Sequence, residues 1–190
     1  PVLGESAEPP AAQVWIPIQP TVETVWLTGH EEGPFVTAEA AVLFENTTGT
    51  VLYAKNPHKN RSPASTTKIL TAILALERGH LDDIVTVSRK AAGTTGSTAR
   101  LYTGQKIRLE DLLHGLLLRS GNDAAVAIAE HIGGEERIFV DWMNRRAADL
   151  GAEQSHFRNP HGLDATGHVS TAYDLALLSR VALHYPLFGE

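Results

Sequence analysis

At 190 residues the chain is long enough to bury a core, and its 43% hydrophobic and 20% charged content is that of a globular domain, not a disordered or fibrous one. It holds no cysteine, which excludes disulfides, thiolate metal sites and thiol catalysis. The net charge of −6 sits at the front: residues 1–40 carry Glu5, Glu8, Glu23, Glu31, Glu32 and Glu39 with no Lys or Arg, and the rest is balanced. A nucleic-acid partner, which needs a basic face to displace counterions, is therefore not expected.

Six of the ten prolines fall within residues 1–34, and Pro1, Pro9, Pro10, Pro17 and Pro20 rule out a regular helix there. Trp15, Ile16, Ile18, Val22, Val25 and Trp26 make the same stretch too apolar for a free linker. Residues 1–34 read as an extended, acidic, proline-rich leader that packs partly on the body. No apolar run approaches the ~18 residues that cross a bilayer. The start, PVLGESAEPP, has neither Met nor a basic-then-apolar signal pattern, so either the protein stays inside or a signal peptide has been removed.

From residue 41, AVLFEN and VLYAKN flank TTGT, two β-rich runs around a turn, which predicts a hairpin over 41–56. After Pro63, the residues Ile69, Leu70, Ile73, Leu74 and Leu76 are apolar on more than one face, which predicts a buried helix. LEDLLHGLLLR at 109–119 predicts a second. Asn122 and Asp123 suit the start of a third, ended by Gly133-Gly134. Residues 135–150 form a fourth, with Trp142 and Met143 expected in the core. After a loop rich in Asn, Pro, His and Gly, Thr171 can cap a last helix carrying Leu175, Leu178 and Val181. No internal repeat is present. One hairpin among helices is a poor sheet by itself, because an isolated hairpin is only marginally stable in water.

Ser65 and Lys68, in PASTTK, stand three residues apart at the start of the first helix. That spacing brings their Cβ atoms within roughly 5–6 Å, so the amine can reach the hydroxyl. A serine hydroxyl becomes a nucleophile when a base takes its proton, and lysine serves as that base only when burial or a neighbouring cation lowers its pKa from about 10.4. The pair alone is a weak signal, since Ser-x-x-Lys arises about once per 200 residues by composition. A serine at a helix start beside an exposed lysine is the plain alternative. Ser120-Gly121-Asn122 lies 55 residues further on, at the break between two apolar helices, where side chains can face a cleft. Taken alone, it reads as an ordinary helix-to-helix turn, since Ser, Gly and Asn are turn and cap residues.

Ser-x-x-Lys followed by a Ser-x-Asn element is the pairing found in β-lactamases and penicillin-binding proteins. The flanks carry the likeness further. The run AAVLFENTTGTVLYAKNPHKNRSPASTTKILTAILALE resembles the opening of the serine D-alanyl-D-alanine carboxypeptidases, the low-molecular-mass penicillin-binding proteins. GQKIRLEDLLHGLLLRSGNDAAVAIAEHIGG and FVDWMNRRAADLGAEQSHFRNPHGLDATGHVSTAYDLALLSR resemble the stretches that follow there, so the likeness covers about 37–185. It implies an α+β, β-lactamase/transpeptidase-like fold: an antiparallel sheet flanked by helices, with a mainly helical subdomain at 88–150. Residues 35–190 would be the N-terminal part of that domain. The resemblance further implies that Ser65 is the acylated nucleophile and Lys68 its base. Ser120 would relay protons to the leaving amine, Asn122 would bind the substrate amide, and the Ser65 backbone N–H would be half of an oxyanion hole. The implied partners are peptidoglycan pentapeptide stems ending in D-Ala-D-Ala, and β-lactams as covalent inhibitors. The implied setting is extracytoplasmic, in the bacterial envelope, with no cofactor.

The family's third element, Lys-Thr-Gly, is missing. Thr47-Thr48-Gly49 lies upstream of the nucleophile, Thr94-Thr95-Gly96 between the first two motifs, and Ala165-Thr166-Gly167 has no ammonium. The expectation is that this motif, further sheet strands and any C-terminal membrane-binding helix lie outside these residues. Two rivals remain: a serine β-lactamase, for which no Glu-x-x-Leu-Asn element is seen, and a non-catalytic penicillin-recognising or wall-binding module. A metal enzyme is disfavoured, since His156, His161 and His168 match no ligand spacing. They read as ordinary loop histidines, and His114 and His131 as surface or boundary residues.

Overall fold

A computed structural model describes residues 34–189; apart from the exposed Pro34, the leader expected over 1–34 lies outside them. The predicted hairpin forms from β1 (Ala41–Phe44) and β2 (Val51–Lys55), antiparallel, with Ala41 opposite Lys55 and an irregularity between Leu43 and Phe44. Its turn is held from both sides. The Glu45 carboxylate accepts the Thr47 amide at 2.9 Å and the Thr48 amide at 2.5 Å. From below, Arg180 donates to the carbonyls of Asn46 (2.7 Å) and Thr47 (3.1 Å). Gly49 is needed there twice over: its φ is +77°, and a Cβ would come within 3.0 Å of the Arg180 guanidinium.

A 3-10 turn, Ala64–Thr66, opens into α1 (Thr67–Arg78). Leu70, Thr71, Ala72, Ile73, Leu74 and Ala75 are all fully buried, as the absence of a polar face predicts. α1 is the hub of the fold. It packs on α3 (Leu109–Leu118), α4 (Asn122–Gly133), α5 (Glu136–Asp149) and α6 (Ala172–Ala182). Glu77 on α1 receives two nitrogens of Arg146 from α5 at 2.6–3.1 Å and the Tyr185 hydroxyl at 2.7 Å. Thr171 caps α6 as expected, its hydroxyl accepting the Asp174 amide at 3.0 Å.

Three features differ from the sequence reading. A second hairpin joins β3 (Ile84–Thr86) to β4 (Lys106–Arg108), enclosing the short α2 (Arg89–Ala92). Its strands are three residues each, too short to stand out as periodic runs. A four-residue helix, α7 (Pro186–Gly189), ends the described chain. Trp142 lies at the rim of the core, with the Arg78 guanidinium 4.5 Å from its ring centre, whereas Met143 is fully buried. The core itself is one contiguous cluster running from α1 through α3, α4 and α5 to Leu178 and Val181 of α6. With two small antiparallel sheets and far more helix than strand, the architecture is α+β.

Candidate active site

The four residues singled out in the sequence meet at one cleft or directly beneath it. Ser65, Lys68 and Ser120 line an opening of about 310 Å³, with Thr66, Ile69 and Leu116 as further walls. Asn122 lies just below, 3% exposed. Two of the positions are built on unusual backbone. Ala64, immediately before Ser65, has φ +48°, and Ser120 has φ +53°. Left-handed conformations at non-glycine residues cost of order 1 kcal/mol each and persist where surrounding structure enforces them. At Ala64 the room is made by Gly162, where a Cβ would lie 1.8 Å from the Ala64 carbonyl oxygen.

Lys68 is 3% exposed, and its amine is surrounded by three oxygens. It donates to Asn122 Oδ1 at 2.8 Å, to the His161 carbonyl at 2.7 Å and towards Ser65 Oγ at 3.2 Å. The first two can only accept. Asn122 is fixed in this sense because its Nδ2 donates to the Thr95 carbonyl at 2.7 Å, which turns Oδ1 to the lysine. A neutral amine has two N–H bonds and one lone pair. Both N–H bonds are taken by the pure acceptors, so the lone pair is left for the Ser65 hydroxyl. Burial lowers the Lys68 pKa from 10.5 to about 8, so an appreciable neutral fraction exists near neutral pH.

The surroundings of Asn122 are equally fixed. Neighbouring Asp123 is fully buried and accepts the Thr98 hydroxyl (2.6 Å) and the amides of Ala99, Leu101 and its own neighbour Ala124 (2.8–3.0 Å). Burial alone would raise its pKa, but these donors outweigh it and hold the carboxyl below its usual value. Loop 95–101 is thereby drawn over the start of α4.

Several contributors carry no side-chain signature. The His161 carbonyl is one, the Thr95 carbonyl another; Thr94-Thr95-Gly96, dismissed as a source of a cation, instead supplies backbone that orients Asn122. Gly96 abuts it so closely that a Cβ would lie 2.6 Å from Asn122 Nδ2. Nor are His161 and His168 plain loop residues: His161 is 9% and His168 3% exposed, and burial lowers the pKa of both, His161 to about 4. His114 and His131 are exposed, and among the described residues no group of three or more metal-ligating side chains comes together.

Comparison with known proteins matches residues 28–190 to the peptidase S11 family, described as D-alanyl-D-alanine carboxypeptidase. The chain belongs to that family. Among its relatives is D-alanyl-D-alanine carboxypeptidase DacF of Bacillus subtilis, 44% identical over 153 residues, a match covering 78% of this chain and 39% of that protein. DacD of Escherichia coli is 43% identical over 173 residues, covering 83% and 45%. Among solved structures, E. coli penicillin binding protein 6B superposes with a TM-score of 0.78 at 43% identity, covering 83% of this chain and 53% of that one. A D-alanyl-D-alanine carboxypeptidase from Mycobacterium tuberculosis gives 0.81 at 34% identity, covering 86% and 62%. The carboxypeptidase-family fold, of the penicillin-binding and transpeptidase type, is thus that of this chain. The chain spans about two fifths of the length of the two curated relatives named.

Proposed function

We propose that the protein carrying this chain is a serine D-Ala-D-Ala carboxypeptidase acting on peptidoglycan stem peptides in the bacterial envelope, and that β-lactams acylate it at Ser65. The observation that carries this reading is the Lys68 amine, with both N–H positions occupied by pure acceptors and Ser65 Oγ 3.2 Å away. In the first step the lone pair of Lys68 takes the Ser65 proton while Oγ bonds to the carbonyl carbon of the penultimate D-Ala. The oxyanion so formed faces the Ser65 N–H at the positive end of α1. As the C–N bond breaks, the proton passes to the leaving D-alanine amine, with Ser120 at the cleft wall as relay. Water then attacks the ester, Lys68 again accepts a proton, and the carboxylic acid and Ser65 hydroxyl are regenerated. Asn122 holds the lysine through Oδ1, and one Nδ2 proton remains for the substrate amide.

The cation that would receive the substrate carboxylate is not supplied by any of the three Thr-Gly segments. The reading therefore includes a Lys-Thr-Gly strand outside these 190 residues, consistent with the share of each relative that is covered. Mass spectrometry of the intact protein after penicillin treatment tests the assignment: one adduct is expected, absent in Ser65→Ala. An adduct that survives Ser65→Ala would sink it. Rapid release of hydrolysed penicillin instead of a lasting adduct would turn the reading to a β-lactamase.

A further inference from the structure

Three consecutive polar positions on one flank of α1 hold the same loop. Thr71 Oγ1 donates to the Pro160 carbonyl at 2.6 Å, Lys68 Nζ to the His161 carbonyl at 2.7 Å, and Thr67 Oγ1 lies 2.9 Å from His168 Nε2. Thr67 and Thr71 are fully buried. Their spacing, four residues apart, puts them one turn from each other on the helix, with the catalytic lysine between.

The protonation of the His168 rung follows from its other partner. Nδ1 lies 3.0 Å from the Arg158 backbone N–H, a group that can only donate, so Nδ1 carries a lone pair. The proton of the neutral ring is then on Nε2, which donates to Thr67 Oγ1. Phe157 packs edge-on against the ring, centroids 5.8 Å apart and planes at 87°, which fixes its tilt. The ionisable groups that bear on the ring are Asp164, His156 and Arg158 from the same loop, and burial disfavours its charged form most. Nothing in the acylation chemistry uses this imidazole, yet it closes the loop that delivers the His161 carbonyl.

We propose that His168, as the Nε2–H tautomer, is a positioning residue for acylation of Ser65: through Thr67 it clamps loop 156–168 to the first turn of α1 and keeps the His161 carbonyl on Lys68. The proposal rests on the reading of Ser65 and Lys68 as nucleophile and base. Releasing the clamp lets water reach the amine, and the Lys68 pKa returns towards its ordinary value. A rise from about 8 to about 9 cuts the neutral fraction at pH 7 about tenfold.

The test uses the full gene product and two readouts, the rate of penicillin acylation at Ser65 and the Lys68 titration followed by NMR of lysine labelled at Cε. His168→Phe and Thr67→Val are each expected to slow acylation about tenfold and to raise the Lys68 midpoint. The double variant is expected to be no worse than either, because both remove one bond. His168→Gln, whose amide can still donate to Thr67, is expected to restore both readouts, and His168→Asn is not. Thr67→Ser keeps the acceptor and is expected to match the wild type in both readouts, and Thr67→Val carries the test if His168→Phe does not fold. A His168→Phe or Thr67→Val protein that melts earlier but acylates at the wild-type rate, with Lys68 titrating unchanged, overturns the proposal, as do additive effects in the double variant. If penicillin does not label wild-type Ser65, the proposed function fails, and the Lys68 midpoints across the same variants still decide the clamp.

Discussion

In the proposed mechanism Lys68 concentrates the residue-scale chemistry, because one buried amine with three oxygens around it has to be neutral when a ligand arrives. With a pKa of about 8, its basic form grows as pH rises. The acylation rate of Ser65 by penicillin is therefore expected to climb about tenfold per pH unit below 8 and to level off above it, as stopped-flow labelling would show. Lys68→Arg keeps the charge but cannot deprotonate, so a loss of about 10²-fold or more is expected in the same assay. The same burial has a stability signature. The folded-state pKa lies below the unfolded value, so the unfolded chain binds the extra proton between about pH 8 and 10.5 and stability rises with pH across that window. The difference in urea midpoint between wild type and Lys68→Met should shift in that direction from pH 8 to 10.5; a flat difference would mean that Lys68 is not desolvated.

At the scale of elements, the site is a meeting of helix starts and loop backbones. The 3-10 turn before α1 presents Ser65 and the first turn of α1 Lys68, the break before α4 presents Ser120 and the start of α4 Asn122, and loop 156–168 closes from the side with a carbonyl. Two substitutions separate these joints. Gly162→Ala places a methyl group on the Ala64 backbone and forces a residue with φ of +92° out of glycine's range. It is expected to lower the melting temperature and cut acylation by at least about tenfold, since a misplaced nucleophile of 1 Å can cost about 10²-fold. Asp123→Ala removes the acceptor for three amides and a hydroxyl. A loss of about 3 kcal/mol is expected in urea unfolding, from buried donors left without partners. A loss below about 1 kcal/mol would mean that water replaces the carboxylate and that loop 95–101 is not held by it.

Over the whole molecule, one contiguous core surrounds α1, and the described strands form two separate two-stranded sheets. Among the described strands, β1 pairs only with β2, and β3 only with β4. Edges of this kind are normally paired or covered. We expect the full gene product to acylate with penicillin and the isolated 190 residues to do so at least about 10²-fold more slowly, the cost of a missing electrostatic partner for the ligand carboxylate. Equal rates in the two proteins would show that the cleft is finished within this chain.

The main helices were legible because their apolar residues repeat at 3.6 and their caps are local: Thr171 capping α6 and the burial of Leu70 to Ala75 need only neighbouring residues. Ser65, Lys68, Ser120 and Asn122 were legible as residue types at fixed spacing, within a longer resemblance. What the sequence could not carry is whatever acts through backbone or through distance along the chain. The three-residue strands of the second hairpin have no period to read. The carbonyls of Thr95 and His161 look like any other carbonyl, and the burial that lowers the Lys68 pKa is a property of α1 packed against four further helices. His168 read as one polar residue in a polar loop, because 101 positions separate it from Thr67. Composition and periodicity marked which segments are helices, and residue spacing within the longer resemblance marked the candidate site residues. Only tertiary packing decided which oxygens surround the lysine, because hydrogen bonds between distant segments follow from how the core closes and leave no local pattern.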